Sequence, residues 1–316
     1  MITLEAVYLL MGLLTGGITL VNARDDRNPR RGRTTIFWGT YTVLFLAGSY
    51  VGDLVNGVLV LIMVATAAAG LGQGTRETTT VIERVASAAR HGNRLFVPVL
   101  VVPLATFAGS VLLKDWQIGG LPVVDPKQVT QIALGSATVL GLLVALVMLR
   151  PPASAPIVEA RRLMDSVGWA AVLPQSLAAL GALFASAGVG KAVSTLATTY
   201  LPLGSPMAAV VAYAVGMALF TMIMGNAFAA FPVMTAGIGL PLVVQQFGGD
   251  VVIVTAVGML SGFCGTLMTP MAANYNIVPA ALLELRDRYG VIRAQWPTAL
   301  ILLAANIVLM GAFAFR

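Results

Sequence analysis

The sequence predicts an all-α, polytopic membrane protein. Of its 316 residues, 58% are hydrophobic and only 10% are charged, whereas soluble domains contain about 25% charged residues. The apolar stretches are continuous and roughly 20 residues long, which is the length that an α-helix needs to cross a bilayer. A transmembrane β-barrel would instead alternate apolar and polar residues over segments of about 10 residues, so this class is excluded.

Nine apolar segments account for the predicted elements in chain order. Seven have the length of single spans: residues 2–21, 34–50, 54–71, 95–113, 129–149, 169–189 and 296–315. The other two, 206–244 and 251–285, are too long for one straight span and too short for two comfortable spans. We expect a re-entrant hairpin and one broken helix there. The layout is then about eight transmembrane helices plus the hairpin, divided into a helical scaffold of five spans (1–150) and a transport unit (151–316).

The arginines predict which side of the membrane each loop faces. Except for Arg316, all of them fall in four loops, after the first, third and fifth segments and before the last. They are Arg24, Arg27, Arg30, Arg31, Arg33, Arg76, Arg84, Arg90, Arg94, Arg150, Arg161, Arg162, Arg286, Arg288 and Arg293. Because cytoplasmic loops are enriched in arginine and lysine, we expect these loops inside and both termini outside. The first segment begins without positive charge, so we expect a retained anchor and not a cleaved signal peptide. Because the charges sort by loop and form no patch, the net charge of +6 does not indicate a nucleic-acid partner.

Two arrangements of residues 206–244 satisfy the charge pattern. The segment can enter and leave from the outer face as a hairpin with its tip near Asn226, or it can cross the membrane twice. We favour the hairpin because Gly225 and Asn226 carry no charge that would hold a loop in cytoplasmic water. The segment 251–285 is then one crossing, interrupted near 265–270.

Two stretches inside the apolar region are unusual for membrane helices. Residues 224–232 (MGNAFAAFP) and 264–276 (CGTLMTPMAANYN) each combine a glycine, polar side chains and a proline. Broken backbone at membrane depth is tolerated only where it is buried in protein or lines a cavity, and a pair of such segments is typical of a transporter binding site. Half-helix N-termini suit a carboxylate, and half-helix C-termini suit Na⁺. The predicted site residues are Gly225, Asn226, Gly265, Thr266, Thr269, Pro270, Asn274 and Asn276.

Each of these residues also has a purely structural interpretation. The glycines could serve close helix packing, and the prolines could be simple kinks. Thr266 and Thr269 could bond back to their own helix, and Asn226 could make an interhelical hydrogen bond. Asn274 and Asn276 could mark the start of a helix near the inner surface.

Three stretches resemble a known family: 160–175 (ARRLMDSVGWAAVLPQ), 224–239 (MGNAFAAFPVMTAGIG) and above all 262–284 (GFCGTLMTPMAANYNIVPAALLE). They are similar to a bacterial membrane family, formerly of unknown function, that is described as the larger subunit of a two-subunit 5-oxoproline (pyroglutamate) transporter. More loosely, the layout resembles the ion transporter superfamily of sodium/dicarboxylate carriers, arsenite pumps and sodium/proton antiporters.

The resemblance implies further features. Superfamily members contain two inverted halves, each with a re-entrant hairpin and a broken helix, so Gly225 and Asn226 would lie at the outer hairpin tip and 265–270 at the break. The superfamily's Ser-Asn-Thr tip is here Met-Gly-Asn-Ala at 224–227, in which only the asparagine is kept. The family also implies the bacterial cytoplasmic (inner) membrane and a smaller membrane subunit that supplies the other half. The sequence itself requires only that something covers the site, and a homodimer mate would also serve.

We therefore expect a subunit of a secondary active transporter that moves a small carboxylate, with 5-oxoproline as the candidate, by alternating access. The sequence has no GxxxxGK[ST] nucleotide-binding loop, so ATP coupling by this chain is not indicated. Na⁺ symport is favoured over H⁺ because the apolar region lacks buried Asp, Glu and His. The ion would lie near Asn226 and Thr269, and we expect no other cofactor or metal.

Other function classes are weaker. An enzyme is not expected, because the sequence contains no HExxH, no GxSxG and no paired aspartates within the spans. A non-transporting scaffold or assembly subunit and a channel remain as alternatives.

Overall fold

The computed structural model describes residues 1–72, 74, 79–200, 204–283 and 285–315. Of the residues used in the sequence predictions, Arg76, Glu284 and Arg316 lie outside this set. The described part is helical apart from its connections and one very short β-hairpin, so the all-α fold class is confirmed. The chain divides into two compact units, Met1–Asp165 and Ser166–Arg316. That the first part is a scaffold and the second a transport unit stays a prediction.

The described residues of the first unit form seven α-helices, the last of which extends two residues beyond the unit. They are α1 (Leu4–Ala23), α2 (Arg31–Ala47), α3 (Asp53–Ala68), α4 (Val81–His91), α5 (Phe96–Leu112), α6 (Val129–Leu149) and α7 (Ala155–Val167). The strands β1 (Gln117–Ile118) and β2 (Leu121–Pro122) form an antiparallel hairpin between α5 and α6. Helix α1 packs along α2, and α5 packs along α6.

A buried polar cluster attaches α7 to the first unit. Arg161 Nη1 lies 2.7 Å from Asp25 Oδ2, and both side chains are almost fully buried. One turn further along α7, Asp165 Oδ1 accepts hydrogen bonds from Asn22 Nδ2 (3.2 Å) and Trp38 Nε1 (3.1 Å). Because these charged groups have partners inside the protein, α7 is a packed element of this unit and not a solvated loop.

The second unit contains the remaining helices. They are α8 (Leu173–Ser186), α9 (Val189–Tyr200), α10 (Pro206–Met224), α11 (Ala227–Met234), α12 (Val251–Leu267), α13 (Ala273–Leu282) and α14 (Gly290–Phe313). Helix α11 continues directly into a π-helix, Thr235–Gln246. The core of this unit lies between α10, the π-helix, α12 and α14, around the fully buried Tyr213, Met217, Val243, Val254 and Met310.

Within the described residues, seven helical stretches are long and apolar enough to cross a membrane: Leu4–Ala23, Ile82–Leu112, Val129–Leu149, Ala155–Ser186, Pro206–Met224, Ala227–Gln246 and Gly290–Phe313. The chain is therefore a multi-pass membrane protein. Asp53–Ala68 and Val251–Leu267 are apolar but shorter. The orientation of the loops and termini stays a prediction.

In the described part of the chain, the helices that hydropathy did not predict include α4 and α9. Both α4 and α9 are amphipathic, so their mean hydropathy is low although their apolar residues follow a helical period. A signal for α4 was present in the sequence, because Thr80 and Glu83 have the spacing of a capping box, and the structure shows both hydrogen bonds of that box.

The segment predicted as a hairpin folds as two helical arms joined at Gly225 and Asn226. The arms, Pro206–Met224 and Ala227–Gln246, are 19 and 20 residues long, and a helix of that length extends about 30 Å. Length alone therefore permits two full crossings as well as a re-entrant hairpin.

The contacts between α12 and α14 show at which level of the second unit α12 ends. Helix α14 runs antiparallel to α12: Asp250 N donates to Ala314 O at 2.7 Å, and Asn306 Nδ2 lies 3.6 Å from Cys264 Sγ. At about 1.5 Å of rise per residue, the end of α12 then lies level with the interior of α14 and not with either end. The choice between a re-entrant hairpin and two full crossings stays a prediction.

Candidate functional site

Helices α10 and α12 run in the same direction and approach closely because α12 presents glycines to α10. A side chain at Gly258 would meet the ring of Tyr213, and one at Gly262 would meet Met217 and Thr221. At Gly265, an added Cβ would overlap the backbone carbonyl of Ala218. This close parallel packing brings the end of α12 to the end of α10.

The hairpin tip is a tight turn formed by two residues. Gly225 ends α10 in the left-handed conformation, with φ +73°, and its N–H donates to Thr221 O at 2.7 Å. A glycine at this position is typical, because residues with a Cβ rarely adopt positive φ. Asn226 then begins α11 as its N-cap, and its Oδ1 accepts from Phe228 N at 2.8 Å. Asn226 is thus a helix cap, and among the described residues this oxygen makes no interhelical bond.

The break in α12 lies later than the sequence predicted. The predicted interruption at 265–270 is displaced, because the helix continues to Leu267 and the non-helical stretch is 268–272. Gly265 remains helical since it packs against Ala218. The helix ends before Pro270, which has no N–H group and disfavours a helical residue before it.

The tip and the break are in direct contact. Thr269 Oγ1 donates to Met222 O at 2.9 Å, a bond between residues 47 positions apart in the chain, and the same hydroxyl accepts from Met271 N at 3.2 Å. A Cβ on Gly225 would lie only 2.6 Å from Met271 O. We call this contact the tip–break junction, formed by residues 221–228 and 266–276.

Asn276 satisfies the carbonyl groups that the break leaves without helical partners. Its Nδ2 donates to Thr266 O at 2.8 Å and to Thr269 O at 2.7 Å, and the residue is completely buried. Without Asn276, the two carbonyls would be buried without these donors, which is costly in an apolar environment.

Polar groups remain at the junction after these bonds are made. Two helices, α11 and α13, begin there, and the first N–H groups of a helix have no acceptors within that helix and carry partial positive charge. Two fully buried oxygens, Thr221 Oγ1 and Asn276 Oδ1, have no hydrogen-bond partner among the described residues. The junction therefore combines helix N-termini suited to an anion with oxygens suited to a cation.

Three aromatic rings border the junction. Phe228 and Phe263 pack edge to face with ring centroids 5.8 Å apart, and Phe263 and Tyr275 follow at 6.4 Å. These rings connect α11, α12 and α13. Phe228 is 61% exposed and Tyr275 is 41% exposed, so they form an apolar rim on an accessible side of the junction.

The structure brings together most of the predicted site residues, although in different roles. Gly225, Asn226, Thr269 and Asn276 form the junction itself. Thr266 contributes its carbonyl, whereas its hydroxyl donates to Phe263 O at 2.6 Å, which is the bond within its own helix that was the alternative interpretation. The remaining predicted residues are the packed Gly265 and the exposed Pro270 and Asn274.

Sequence reasoning missed two polar residues near the junction. Thr221 lies one turn before the tip, and Asn306 in α14 contacts Cys264, which is 3% exposed. Both are polar residues within apolar segments, so their rarity was the available signal. Their partners could not be inferred, because those contacts join distant parts of the chain.

Comparison with known proteins gives a family for this chain. Residues 5–315 match a family model described as "Protein of unknown function (DUF979)". No curated protein matches the sequence significantly. Among solved structures, the chain is similar to the YdaH transporter of Alcanivorax borkumensis, described as having an unusual topology, with 17% identity and a TM-score of 0.34. That similarity covers 96% of this chain but 64% of YdaH, which is less than two thirds of its length. The chain belongs to the DUF979 family, and the resemblances to a 5-oxoproline transporter subunit and to the ion transporter superfamily stay predictions.

Proposed function

We propose that this member of the DUF979 family is a subunit of a secondary active transporter for a small carboxylate, bound at the tip–break junction. The observation that carries the proposal is the hydrogen bond from Thr269 to Met222 O, which joins two interrupted membrane segments at their interruptions. Irregular backbone of this kind is tolerated inside a membrane where it lines a cavity or is buried in protein, and paired interruptions are typical of transporter sites. The chain functions in the bacterial cytoplasmic membrane by alternating access.

The chemistry of the junction favours an anionic solute that is bound without the help of a positively charged side chain of the protein. Between Lys191 and Arg286 the sequence contains no arginine, lysine or histidine. A carboxylate would therefore be held by N–H groups at the starts of α11 and α13, as anions commonly are at helix N-termini. In 5-oxoproline, the lactam offers one donor and one acceptor besides the carboxylate, which suits neighbouring asparagine amides such as Asn226 and Asn274. This makes 5-oxoproline the substrate to test first.

Sodium is the proposed coupling ion. Thr221 Oγ1 and Asn276 Oδ1 are neutral oxygens without a partner in the described part of the chain, and neutral oxygens and carbonyls suit Na⁺. The only carboxylate in the sequence between residues 192 and 283 is Asp250, which accepts from Val252 N and Ile253 N as the cap of α12. This region therefore offers few side chains that could carry a proton, which makes proton coupling by these residues a weaker proposal.

A sodium requirement gives the first prediction. In vesicles that contain this chain and its partner, inward 5-oxoproline uptake is expected to rise several-fold when an inward Na⁺ gradient is imposed. Replacing Na⁺ by choline is the control. Equal uptake in sodium-free buffer under a pH gradient alone would contradict sodium coupling.

Side-chain substitutions at the junction test the site itself. We expect Asn226→Ala and Thr269→Ala each to reduce uptake about tenfold, because losing a hydrogen bond costs about 1–1.5 kcal/mol and about 1.4 kcal/mol corresponds to a factor of ten. Thr269→Ser should retain most uptake because it keeps the hydroxyl. The matched control is Thr255→Ala, since Thr255 in α12 is half-buried and, among the described residues, its hydroxyl donates to Val251 O and Val252 O of its own helix.

The same experiment separates transport from the alternatives. A scaffold subunit would tolerate Asn226→Ala and Thr269→Ala with uptake intact, provided that the variants are present at wild-type levels. A flux that never saturates with substrate concentration would instead indicate a channel. The proposed partner is a smaller membrane subunit or a second copy of this chain, and co-purification with each would distinguish them.

A further inference from the structure

The helix α4 has a surface that the proposed transport function does not use. It spans Val81–His91 and follows a capping box, in which Glu83 N donates to Thr80 Oγ1 at 3.2 Å and Thr80 N donates to Glu83 Oε2 at 2.7 Å. This reciprocal cap fixes where the helix begins. Because α4 has this cap, we treat it as a helix with a fixed start and not as an irregular loop.

One side of α4 is apolar and exposed. Ile82, Val85 and Ala89 recur at spacings of three and four residues, so they share a face. Ile82 is 81% exposed and Val85 is 63% exposed. In the described part of the chain, the main contacts of α4 are with the 3₁₀ turn Gly92–Leu95 that follows it. No described element therefore covers this apolar face.

The other side of α4 is polar and positively charged. Arg84, Ser87 and His91 lie opposite the apolar face, and Arg90 lies at its edge. Arg94 follows in the 3₁₀ turn and is also exposed. A helix with a basic face, an apolar face and low overall hydrophobicity is the type that lies in the membrane interface.

The connection to α5 places α4 at the membrane surface. Gly92, with φ +48°, ends α4, and α5 begins four residues later at Phe96. Helix α5 is an apolar segment that packs along α6 on one side, and its remaining exposed surface is apolar enough to face lipid. Because α4 is joined to this segment by one turn, it lies next to the end of an apolar helix, where an interfacial helix can place its apolar face toward acyl chains and its arginines toward headgroups.

We propose that α4 is an interfacial helix that binds the anionic lipids of the cytoplasmic leaflet. Its occupant is the bilayer itself: Ile82 and Val85 enter the boundary of the acyl chains, and Arg84, Arg90 and Arg94 bind phosphate headgroups. The positive charge favours an anionic surface, which attracts basic segments near the membrane. The inference does not depend on transport, because it concerns the first unit only.

Site-specific fluorescence tests the inference on the full-length chain. Val85→Cys and Ser87→Cys are each labelled with an environment-sensitive maleimide dye and reconstituted in vesicles of phosphatidylcholine, with or without phosphatidylglycerol. The native Cys264 is buried. The wild-type chain, which lacks the introduced cysteines, is treated with the same dye to measure any labelling of Cys264. Two quenchers are compared. A lipid with a nitroxide near its headgroup quenches a dye that lies in the membrane interface, and iodide quenches a dye that is exposed to water.

The two labels are expected to differ. At position 85, emission should shift to the blue and be quenched several-fold more by the nitroxide lipid than by iodide, with a larger shift when phosphatidylglycerol is present. At position 87, iodide should quench more strongly. Combined Arg84→Gln, Arg90→Gln and Arg94→Gln substitutions should remove the dependence on phosphatidylglycerol, as should high salt, which screens charge.

Two results would overturn the inference. If iodide quenches both labels equally well, α4 is solvated and does not lie in the interface. If both labels are protected from iodide and from the nitroxide lipid, a protein covers the helix and the occupant is not the bilayer.

Discussion

Asn276→Ala is expected to destabilise the second unit strongly and to abolish uptake. The substitution removes the two hydrogen bonds from Nδ2 to Thr266 O and Thr269 O. Leaving a buried acceptor unsatisfied costs about 1–3 kcal/mol, so two carbonyls correspond to a loss of roughly 2–6 kcal/mol. Water is scarce at membrane depth and cannot substitute easily for the lost donors. The measurement is the midpoint of thermal unfolding of the purified chain in lipid nanodiscs, together with uptake in vesicles.

The chain supplies a matched control for this experiment. Asn274 lies two positions away in the same helix, but its side chain is exposed, so Asn274→Ala should leave the unfolding midpoint close to that of the wild type. Asn276→Leu separates shape from hydrogen bonding, because leucine has a similar size but neither an N–H donor nor a charge. Equal midpoints for Asn276→Ala and Asn274→Ala would show that the break does not depend on this amide.

The turn at Gly225 and Asn226 could be predicted from the sequence because it depends on the conformational preferences of these two residues. Gly225 provides a left-handed residue and Asn226 provides a helix cap, and both preferences belong to single residues. The all-α class and most of the long apolar helices could be predicted for the same reason, since a continuous apolar stretch is recognised without knowledge of tertiary contacts.

The sequence placed the break too early because a glycine has two roles. A glycine in an apolar segment can break a helix or allow close packing, and in the structure Gly265 stays helical and lets α12 approach Ala218 in α10, which is the packing alternative. Which role a glycine takes depends on the neighbouring helix, and that neighbour is not visible in a single sequence. The bond between Thr269 and Met222 could not be inferred for the same reason. The amphipathic α4 and α9 were missed because mean hydropathy averages over their two faces.

Gly265→Ala is expected to separate the tip from the break and to eliminate transport. An added Cβ would overlap the carbonyl oxygen of Ala218 and lie about 3 Å from the rest of its backbone. A backbone atom cannot rotate away as a side chain can, so α10 and α12 must move apart along their shared length. Overpacking of this kind typically costs about 1–3 kcal/mol and occasionally more, and here it also lengthens the hydrogen bond between Thr269 and Met222 O.

The expected results are a lower unfolding midpoint for Gly265→Ala in nanodiscs and uptake near background in vesicles. Gly57→Ala is the matched control, because Gly57 also lies inside a helix but an added Cβ there meets nothing within 4 Å. That change should be neutral or should stabilise the chain by about 0.5–1 kcal/mol, since alanine favours a helix over glycine. If Gly265→Ala keeps full uptake and a wild-type midpoint, α10 and α12 do not need to be this close, and the tip–break junction loses its role as the site. If the midpoint falls but the remaining folded protein transports normally, close packing serves stability alone, and the solute must bind elsewhere in the chain.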